Sequence, residues 1–483
     1  MVINIVYIVF LIPNFIKCET INNYMSKRSQ IIQQEDKMLL GGDLQLSDKE
    51  LMVCDCLMKF KYEEIDYGFN NPEHYNFSHH FFQFKDKIKD SEVYKIIKSL
   101  PKGAILHIHD IAMLGPDYLL NITYKDHLYG CFGENLLLKF SITPPLDSPC
   151  DSQWQLVSDA RSESKNITAF DIELRKHFTL VVENPDTVYP TIKETWARFR
   201  EYSRTVGTMI AYTPIWEQYL YDALNTFRDD NIMYVEMRTA FRLYDFDNPN
   251  DDDPLRSARV YEKVIKEFVK NHPDFIGAKM IYAPSRQLHG EALKEKIEMA
   301  KKLKINFPDL MAGFDLVGQE DLGEPLLVNV PLLEAAQDLD FFFHAGETDW
   351  YGTTSDENLV DAVLLGAKRI GHGYALSKHP VLMRAVKELD IGVEVNVLSN
   401  AVLSLVRDIR NHALSVLLAH GMPVVLSSDD PGAWEADALS EDFYAAFVGV
   451  ASMHSDLRLL KTLALNSIKY SALNSTKKQS AIC

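Results

Sequence analysis

Long apolar runs are almost absent from this sequence. The exception extends from Val2 to Phe10 and on through Ile12, and it ends at Pro13 before a polar stretch. It is shorter than the roughly 20 residues that cross a bilayer, and it has the length of a signal-peptide core. We therefore expect no membrane span and interpret residues 1–19 as a secretion signal. A buried N-terminal strand or helix is the alternative.

Positive charge is also in short supply. The chain has 50 Lys and Arg residues against 68 Asp and Glu residues, a net charge of -18. Such a balance disfavours a surface that binds a phosphate backbone, so nucleic acid polymer is not an expected partner. Hydrophobic residues make up 47% of the chain and charged residues 24%, which is typical of a globular protein with a large core.

Cysteine is scarce, with six in 483 residues. Cys54 and Cys56 are too close in sequence to bridge each other easily, whereas Cys131 and Cys150 flank a proline-rich loop. In an oxidising compartment this second pair is the best disulfide candidate. Secretion would also make glycosylation acceptors of four N-x-[ST] tripeptides, at Asn76, Asn121, Asn166 and Asn474.

Strand-like apolar runs recur from the end of the first hundred residues onward, with stretches of helical periodicity between them. They begin at Gly103, Asn231, Ile276, Leu310, Phe341, Arg369, Ile391 and Pro423. Eight short strands that alternate with helices are typical of a parallel α/β barrel. We therefore predict an α/β fold, a (β/α)8 TIM-type barrel, over residues 101–483.

Two segments lie outside this repeat. Residues 20–100 have apolar residues at helical spacing and predict an N-terminal helical extension, which must pack on the barrel flank or on a second subunit. We favour the second subunit and so a homodimer. Residues 124–182 fall in the unusually long gap after the first strand and contain Cys131 and Cys150. They predict a small, disulfide-stapled inserted subdomain, with a disordered loop as the alternative.

Polar side chains end several of the predicted strands. His107 and His109 are two residues apart on strand one, so both point to the same side. His344 ends strand five and Asp429 ends strand eight, where parallel strands deliver active-site residues. An HxH pair alone is weak evidence, but three imidazoles and a carboxylate that converge suit zinc with an open position for water.

The neighbours of these residues suggest what the metal would do. A bound zinc would lower the pKa of its water toward neutrality. Glu347 is placed to pass a proton to a substrate atom, and His372 can orient and deprotonate the water. Asp430 offers a second carboxylate, and Gly318 lets a substrate approach the backbone. The residues by themselves predict metal-assisted hydrolysis and no more.

The order of the motifs adds a resemblance. HIHD, DLVG, HAGET, RIGHGYAL and SSDDP, in this order, resemble the motif set of the adenosine deaminase family within the amidohydrolases. The N-terminal signal, the helical extension, LPKGAILHIHD, the insertion with its cysteine pair and MAGFDLVGQED are similar to the secreted, growth-factor-type members. The resemblance covers nearly the whole mature chain.

The resemblance implies extracellular, zinc-dependent deamination of adenosine and 2′-deoxyadenosine. Partners would be these purine nucleosides, and a cell-surface receptor or glycan bound by the insertion. Depletion of adenosine would give a growth-factor-like effect. The implied residues are His107, His109, His344 and Asp429 for zinc, Glu347 for proton donation, His372 for water activation, and Asp110, Trp196, Gly318 and Asp430 for substrate contacts.

Two departures from the family pattern concern the sugar. Gln319 stands where many secreted relatives have a histidine, and Ser285 stands where relatives use a histidine near the ribose. Other interpretations also remain. One is a secreted signalling protein in which catalysis is secondary, although all six metal and catalytic positions are filled. Another is an amidohydrolase that acts on a different amine or amide. The pair Glu347 and Asp430 distinguishes this interpretation, because two carboxyl groups suit the edge of a purine. Nucleotide deaminases share several motifs, but AMP would call for a basic cluster near the pocket.

Overall fold

The computed structural model describes residues 21–146, 148–249 and 253–482. The predicted secretion signal, residues 1–19, lies outside this part of the chain. Among the described residues, no helix combines the length and the apolar character that a membrane crossing requires.

Parallel strands form the centre of the molecule. The strands are β1 (Gly103–His109), β2 (Leu128–Phe132), β3 (Leu136–Phe140), β4 (Trp154–Leu156), β5 (Ile232–Thr239), β6 (Gly277–Tyr282), β7 (Met311–Phe314), β8 (His344–Ala345), β9 (Arg369–His372), β10 (Gly392–Val395) and β11 (Val424–Leu426). One parallel sheet has the order β1-β5-β6-β7 and another has the order β11-β10-β9-β8.

Single bridges join the edges of these two sheets. Ile108 in β1 pairs in parallel with Asp429, just beyond β11, and Phe314 in β7 pairs in parallel with Phe341, just before β8. The parallel strands therefore follow one another around a ring in chain order, which confirms the predicted α/β barrel fold. Each of the predicted apolar runs contains one of these strands.

The run that begins at Phe341 contributes the shortest strand. Only His344–Ala345 forms a regular ladder there, although the preceding residues are buried and bonded to the next strand. The carbonyl of Phe341 accepts from Lys368 N at 2.8 Å, and that of Phe343 accepts from Gly371 N at 2.8 Å. The segment is therefore held in the barrel even where its pairing is irregular.

Helices surround the barrel and build both predicted additions. They are α1 (Ile21–Met38), α2 (Asp48–Asn70), α3 (Phe81–Phe84), α4 (Glu92–Ser99), α5 (Pro116–Ile122), α6 (Val157–Glu163), α7 (Ile167–Lys176), α8 (Pro185–Val188), α9 (Ile192–Ile210), α10 (Thr213–Asp229), α11 (Pro254–Asn271), α12 (Gly290–Asn306), α13 (Leu326–Glu334), α14 (Thr354–Leu364), α15 (Pro380–Glu388), α16 (Val397–Val402), α17 (Leu414–Ala419), α18 (Ala438–Tyr444), α19 (Leu457–Lys469) and α20 (Ser475–Ile482). Local sequence sets several starts: Ser47 and Glu50 form a capping box before α2, and Pro254 is the first residue of α11.

The segment predicted as a helical extension contains α1 to α4, and α2 and α4 contact the barrel flank. Leu57 in α2 and Ile97 in α4 are fully buried in the main core. Lys61 is also fully buried, and its Nζ donates to the carbonyls of Ser452 at 2.9 Å and Ser455 at 2.7 Å. By contrast, residues 24–38 of α1 are exposed.

The segment predicted as an insertion contains an antiparallel sheet of order β3-β2-β4, followed by α6 and α7. A disulfide joins Cys131 in β2 to Cys150, with the two Cα atoms 5.8 Å apart, which confirms the predicted pairing. Thr205 in α9 donates through its hydroxyl to the carbonyl of Leu136 at 2.7 Å and so ties the sheet to the barrel. The described residues of this segment therefore include a three-stranded sheet and two helices.

Replacing both Cys131 and Cys150 with serine should destabilise the inserted sheet locally. The bond closes a loop with a sequence separation of 19, and a loop of this size is worth about 3 kcal/mol in the chain-entropy model. Hydrogen exchange of the β2 and β3 amides should show the loss. Cys56→Ser removes an exposed free thiol and serves as the control. Unchanged protection in the double variant would contradict the prediction.

Candidate active site

The predicted metal ligands meet at the carboxyl ends of the barrel strands. Asp429 Oδ1 lies 3.3 Å from His107 Nε2 and 3.2 Å from His109 Nε2. The ring centroids of His107 and His344 are 4.5 Å apart, and those of His109 and His344 are 5.4 Å apart. Side chains that come from β1, β8 and the end of β11 thus converge on one point.

Two of the site residues have an unusual backbone conformation. His372 and Asp429 have φ values of 60° and 59°, in the left-handed region that non-glycine residues seldom adopt. Asp429 N donates to the carbonyl of His107 at 3.1 Å, and His109 N donates to the carbonyl of Asp429 at 3.0 Å. These bonds hold the turn that carries Asp429 against β1, so the strained conformation is maintained by the closing edge of the barrel.

Buried carboxylates orient two of the imidazoles. His107 Nδ1 is 2.8 Å from Glu394 Oε2, and His344 Nδ1 is 2.6 Å from Asp315 Oδ2. A carboxylate accepts, so each Nδ1 carries the ring proton and each Nε2 is left with a lone pair. Burial lowers the pKa of His344 to about 3, which keeps this ring neutral. Both rings therefore present a lone pair toward Asp429, as metal ligands require.

Two buried arginines hold these carboxylates in turn. Arg238 donates to Asp315 Oδ2 at 2.7 Å and to Glu394 Oε2 at 2.8 Å, and Arg369 donates to Glu394 and to Glu236. Burial opposes ionisation of Asp315, but His344 and Arg238 outweigh it and hold the pKa of Asp315 below its ordinary value. These buried carboxylates and arginines were not predicted from the sequence. The pattern that could have indicated them is a lone charged residue within an apolar strand, as Glu394 is in GVEV.

The residues fit a divalent metal ion. Ligand atoms of His107, His344, His372 and Asp429 lie within 4.8 Å of one another. Within the described chain, His107 Nε2 and Asp429 Oδ1 are buried without a hydrogen-bond partner. Buried polar atoms are nearly always paired, so these point to a ligand at their centre. Imidazole nitrogen with carboxylate oxygen is a donor set that zinc favours.

Glu347 lies beside this cluster, and its Oε1 is 3.6 Å from His372 Nδ1. Glu320 accepts from the backbone nitrogens of Gly346 at 3.0 Å and Glu347 at 2.7 Å, and so fixes the turn. Burial, and then the charges of Asp429 and Glu320, raise the pKa of Glu347 well above its ordinary value. The raised pKa favours the protonated form of Glu347.

A cavity of about 270 Å³ opens onto these groups and is lined by Glu347, His372 and Asp430 together with the predicted contacts Trp196 and Gly318. Its size is near the lower end for small-molecule sites. Burial, followed by Asp429 and Asp110, raises the pKa of Asp430 well above its ordinary value.

The remaining predicted substrate contact lies to one side. Asp110 lines an adjoining cavity of about 600 Å³, and Tyr261 donates to its Oδ2 at 2.7 Å. Two residues, Ser285 and Gln319, differ from the family pattern near the sugar. Ser285 lines the smaller cavity. Gln319 instead accepts from Arg200 at 3.1 Å. The predicted contacts Trp196, Gly318 and Asp430 therefore line the cavity beside the metal and catalytic residues, whereas Asp110 and Gln319 lie outside its lining.

A parallel α/β barrel with histidines and an aspartate at its strand ends defines an amidohydrolase-type enzyme. A family model described as "Adenosine deaminase" matches residues 168–482, and one described as "Adenosine/AMP deaminase N-terminal" matches residues 4–97. The first match covers more than half of the chain. The chain therefore belongs to the adenosine deaminase family.

Individual relatives agree with this assignment. The chain is 42% identical over 464 residues to adenosine deaminase 2-A of Danio rerio, covering 94% of this chain and 91% of that protein. It is 40% identical over 463 residues to adenosine deaminase 2 of Homo sapiens, covering 93% and 89%.

Solved structures share the fold at low sequence identity. The N6-mAMP deaminase of Arabidopsis has a TM-score of 0.57 at 18% identity, covering 80% of this chain and 98% of that chain. An amidohydrolase of Burkholderia ambifaria, solved with bound zinc, has a TM-score of 0.56 at 17% identity, covering 80% and 90%.

Replacing Asp315 with asparagine should weaken the binding of a divalent metal ion about 10- to 100-fold, the usual effect of losing a carboxylate behind a ligand histidine. Metal content after dialysis against a graded series of chelator concentrations measures this, with circular dichroism to check folding. Asp321→Asn is the matched control, because Asp321 accepts from Thr348 at 2.6 Å. Equal metal retention in both variants would show that Asp315 does not orient a ligand.

Proposed function

We propose that this protein catalyses the hydrolytic deamination of adenosine, and of 2′-deoxyadenosine, to inosine or deoxyinosine and ammonia. The observation that carries the proposal is the buried Glu347, which lines the same cavity as residues of a cluster suited to a metal. Replacement of an amino group on an aromatic ring needs a nucleophile and a proton donor together. The activity named for the relatives supports the same reaction.

His107, His109, His344 and Asp429 would hold the metal, which we propose is zinc. When bound, zinc supplies Lewis-acid activation of a water molecule at neutral pH. The unpaired buried atoms of the cluster support this choice, as does the bound zinc of the Burkholderia amidohydrolase, which shares the fold.

Glu347 would donate a proton to nitrogen 1 of the purine as an oxygen adds to carbon 6. Without that proton the ring would take on a negative charge. The raised pKa of Glu347 suits this role, because the carboxyl group must arrive at the substrate protonated. Its backbone nitrogen donates to Glu320, which places the carboxyl group against the cavity.

Asp430 would contact the opposite edge of the purine. As an ionised carboxylate Asp430 could only accept, which would require a proton on nitrogen 7. Its raised pKa favours the protonated form, so we propose that Asp430 donates to an unprotonated nitrogen 7. The carboxyl groups of Glu347 and Asp430 would then donate hydrogen bonds to opposite edges of the purine, and Trp196 and Gly318 would lie toward the sugar.

Replacing Glu347 with glutamine should lower adenosine turnover by two to four powers of ten, since glutamine donates a hydrogen bond but no proton, and general acid catalysis is worth about that much. Ultraviolet-monitored conversion of adenosine to inosine measures the change. Zinc content should stay constant in this variant and fall in Asp429→Ala. Glu357→Gln, on the exposed face of α14, is the control. Near-normal turnover by Glu347→Gln would refute the assignment of the proton donor.

The proposal includes action outside the cell as a homodimer. The apolar N-terminal run supports secretion, as does a disulfide of the kind that persists in oxidising compartments. Exposed Tyr24, Met25 and Ile31 on α1 support a second subunit as its partner. Protein recovered from the medium of expressing cells should begin near residue 20 and have about twice the chain mass by light scattering. Retention inside the cells would contradict secretion, and a monomeric mass would contradict the dimer.

A further inference from the structure

A chain of buried hydrogen bonds leads from a backbone amide to the ring of His372. Leu414 N lies 2.9 Å from His412 Nδ1, and His412 Nε2 lies 3.0 Å from Asn400 Oδ1. Asn400 Nδ2 lies 3.2 Å from His372 Nδ1. His412 and Asn400 are buried, with 1% and 0% of their surfaces exposed. Water therefore does not compete for these bonds.

The direction of every bond in this chain follows from its first member. A backbone N–H can only donate, so His412 Nδ1 accepts and the ring proton of neutral His412 is on Nε2. His412 then donates to Asn400 Oδ1, which turns the amide NH₂ of Asn400 toward His372. His372 Nδ1 therefore accepts, and the proton of its neutral ring is on Nε2. Burial lowers the pKa of His412 to about 3, which keeps His412 neutral.

This tautomer is the opposite of the one found in two of the predicted ligands. His107 and His344 have the proton on Nδ1, because Glu394 and Asp315 accept there. His372 Nε2 points into the same cluster, 3.7 Å from Asp429 Oδ2. Since this nitrogen carries a proton, it has no lone pair to give a metal. The third imidazole ligand of the proposed metal is then His109, although the ring of His372 also lies close enough to the cluster to bind a metal.

We propose that Asn400 and His412 are positioning residues that hold His372 with its proton on Nε2, so that His372 donates a hydrogen bond to the oxygen that adds to the substrate. A base at this place would need a free lone pair on Nε2. The proposal therefore keeps the orienting role expected for His372 and replaces the deprotonating role. A bound metal would lower the pKa of the water toward neutrality, so that its proton would pass to solvent before the oxygen adds. The function of the donor rests on the proposed deamination, whereas the tautomer itself does not.

The surroundings of the chain make it rigid. Asn396 Nδ2 lies 3.4 Å from His372 Nδ1 and offers a second donor to the same nitrogen. The ring of Tyr374 meets that of His412 edge-on, with centroids 5.3 Å apart, and its hydroxyl donates to the carbonyl of Leu405 at 2.9 Å. A flip of the Asn400 amide would set two N–H groups against each other at His412, so the amide is held in one orientation.

Nitrogen-15 NMR of histidine-labelled, zinc-loaded protein tests the tautomers directly, without substrate. Signals are assigned from their loss in single histidine variants. We expect the proton on Nε2 in His372 and His412, and on Nδ1 in His107 and His344. A proton on Nδ1 of His372 would overturn the proposal. This result is independent of turnover, so a protein that fails to deaminate adenosine would refute the proposed function and leave the hydrogen-bond chain open to its own test.

Asn400→Asp tests the consequence for catalysis. A carboxylate still accepts from His412 but cannot donate to His372, so it should draw the proton of His372 onto Nδ1. We expect kcat for adenosine to fall about 100- to 1000-fold, the cost of removing one donor to a developing oxyanion, with KM within about threefold and zinc retained. If His372 instead acted as a base, Asn400→Asp should raise kcat, because this substitution would free the lone pair on Nε2 of His372. Unchanged or increased kcat would therefore refute the proposal.

Substitutions at His412 provide a second test of the proposal if the Asn400→Asp variant does not fold. His412→Gln keeps a donor to Asn400 and should retain kcat within about tenfold, whereas His412→Phe removes it and should lose more. His420→Gln is the control, since the side chain of His420 is exposed and its Nδ1 lies 2.9 Å from the carbonyl of Val416, one helical turn earlier. Equal activity of the glutamine and phenylalanine variants would mean that His412 has no positioning role.

Discussion

The buried charges behind the histidines are the constraint on which the site depends. Glu394 accepts from His107, Arg238 and Arg369 together, inside a barrel from which water is excluded. A buried ion pair that loses one partner leaves an uncompensated charge at a cost of about 3–5 kcal/mol. Carboxylates, arginines and imidazoles are therefore held as one unit, and their positions set which ring nitrogens of His107 and His344 face the cluster.

The barrel makes this unit possible because each parallel strand ends at the same face. β1 brings His107 and His109, β8 brings His344, and the turn beyond β11 brings Asp429 back to β1 through paired backbone bonds. The same closure fixes the cavity floor. The inserted sheet and the N-terminal helices pack outside this ring, so they shape the rim and the flank without entering the metal cluster.

Much of this arrangement was predictable from sequence. Short apolar runs identified every barrel strand, since a strand buried on both faces has a nearly continuous apolar sequence. The two-residue spacing of His107 and His109 predicted a shared side. Irregular pairing before His344 was not predictable, because it depends on how the neighbouring strands meet. The place of Asp110 in the adjoining cavity depends on Tyr261, which is distant in sequence.

Sequence by itself determined the barrel, the disulfide partner of Cys131 and the identity of the polar groups at the mouth, because these follow from local patterns of residue type. Tertiary structure alone decided the protonation of those groups. Burial and neighbouring charge raise the pKa of Glu347 and so favour the protonated form that the proposed reaction needs. Nδ1 of His372 faces Asn400, whose Oδ1 faces His412, and these two contacts are the basis for the proposed proton on Nε2 of His372. A proton's position depends on contacts in space, which no local pattern encodes.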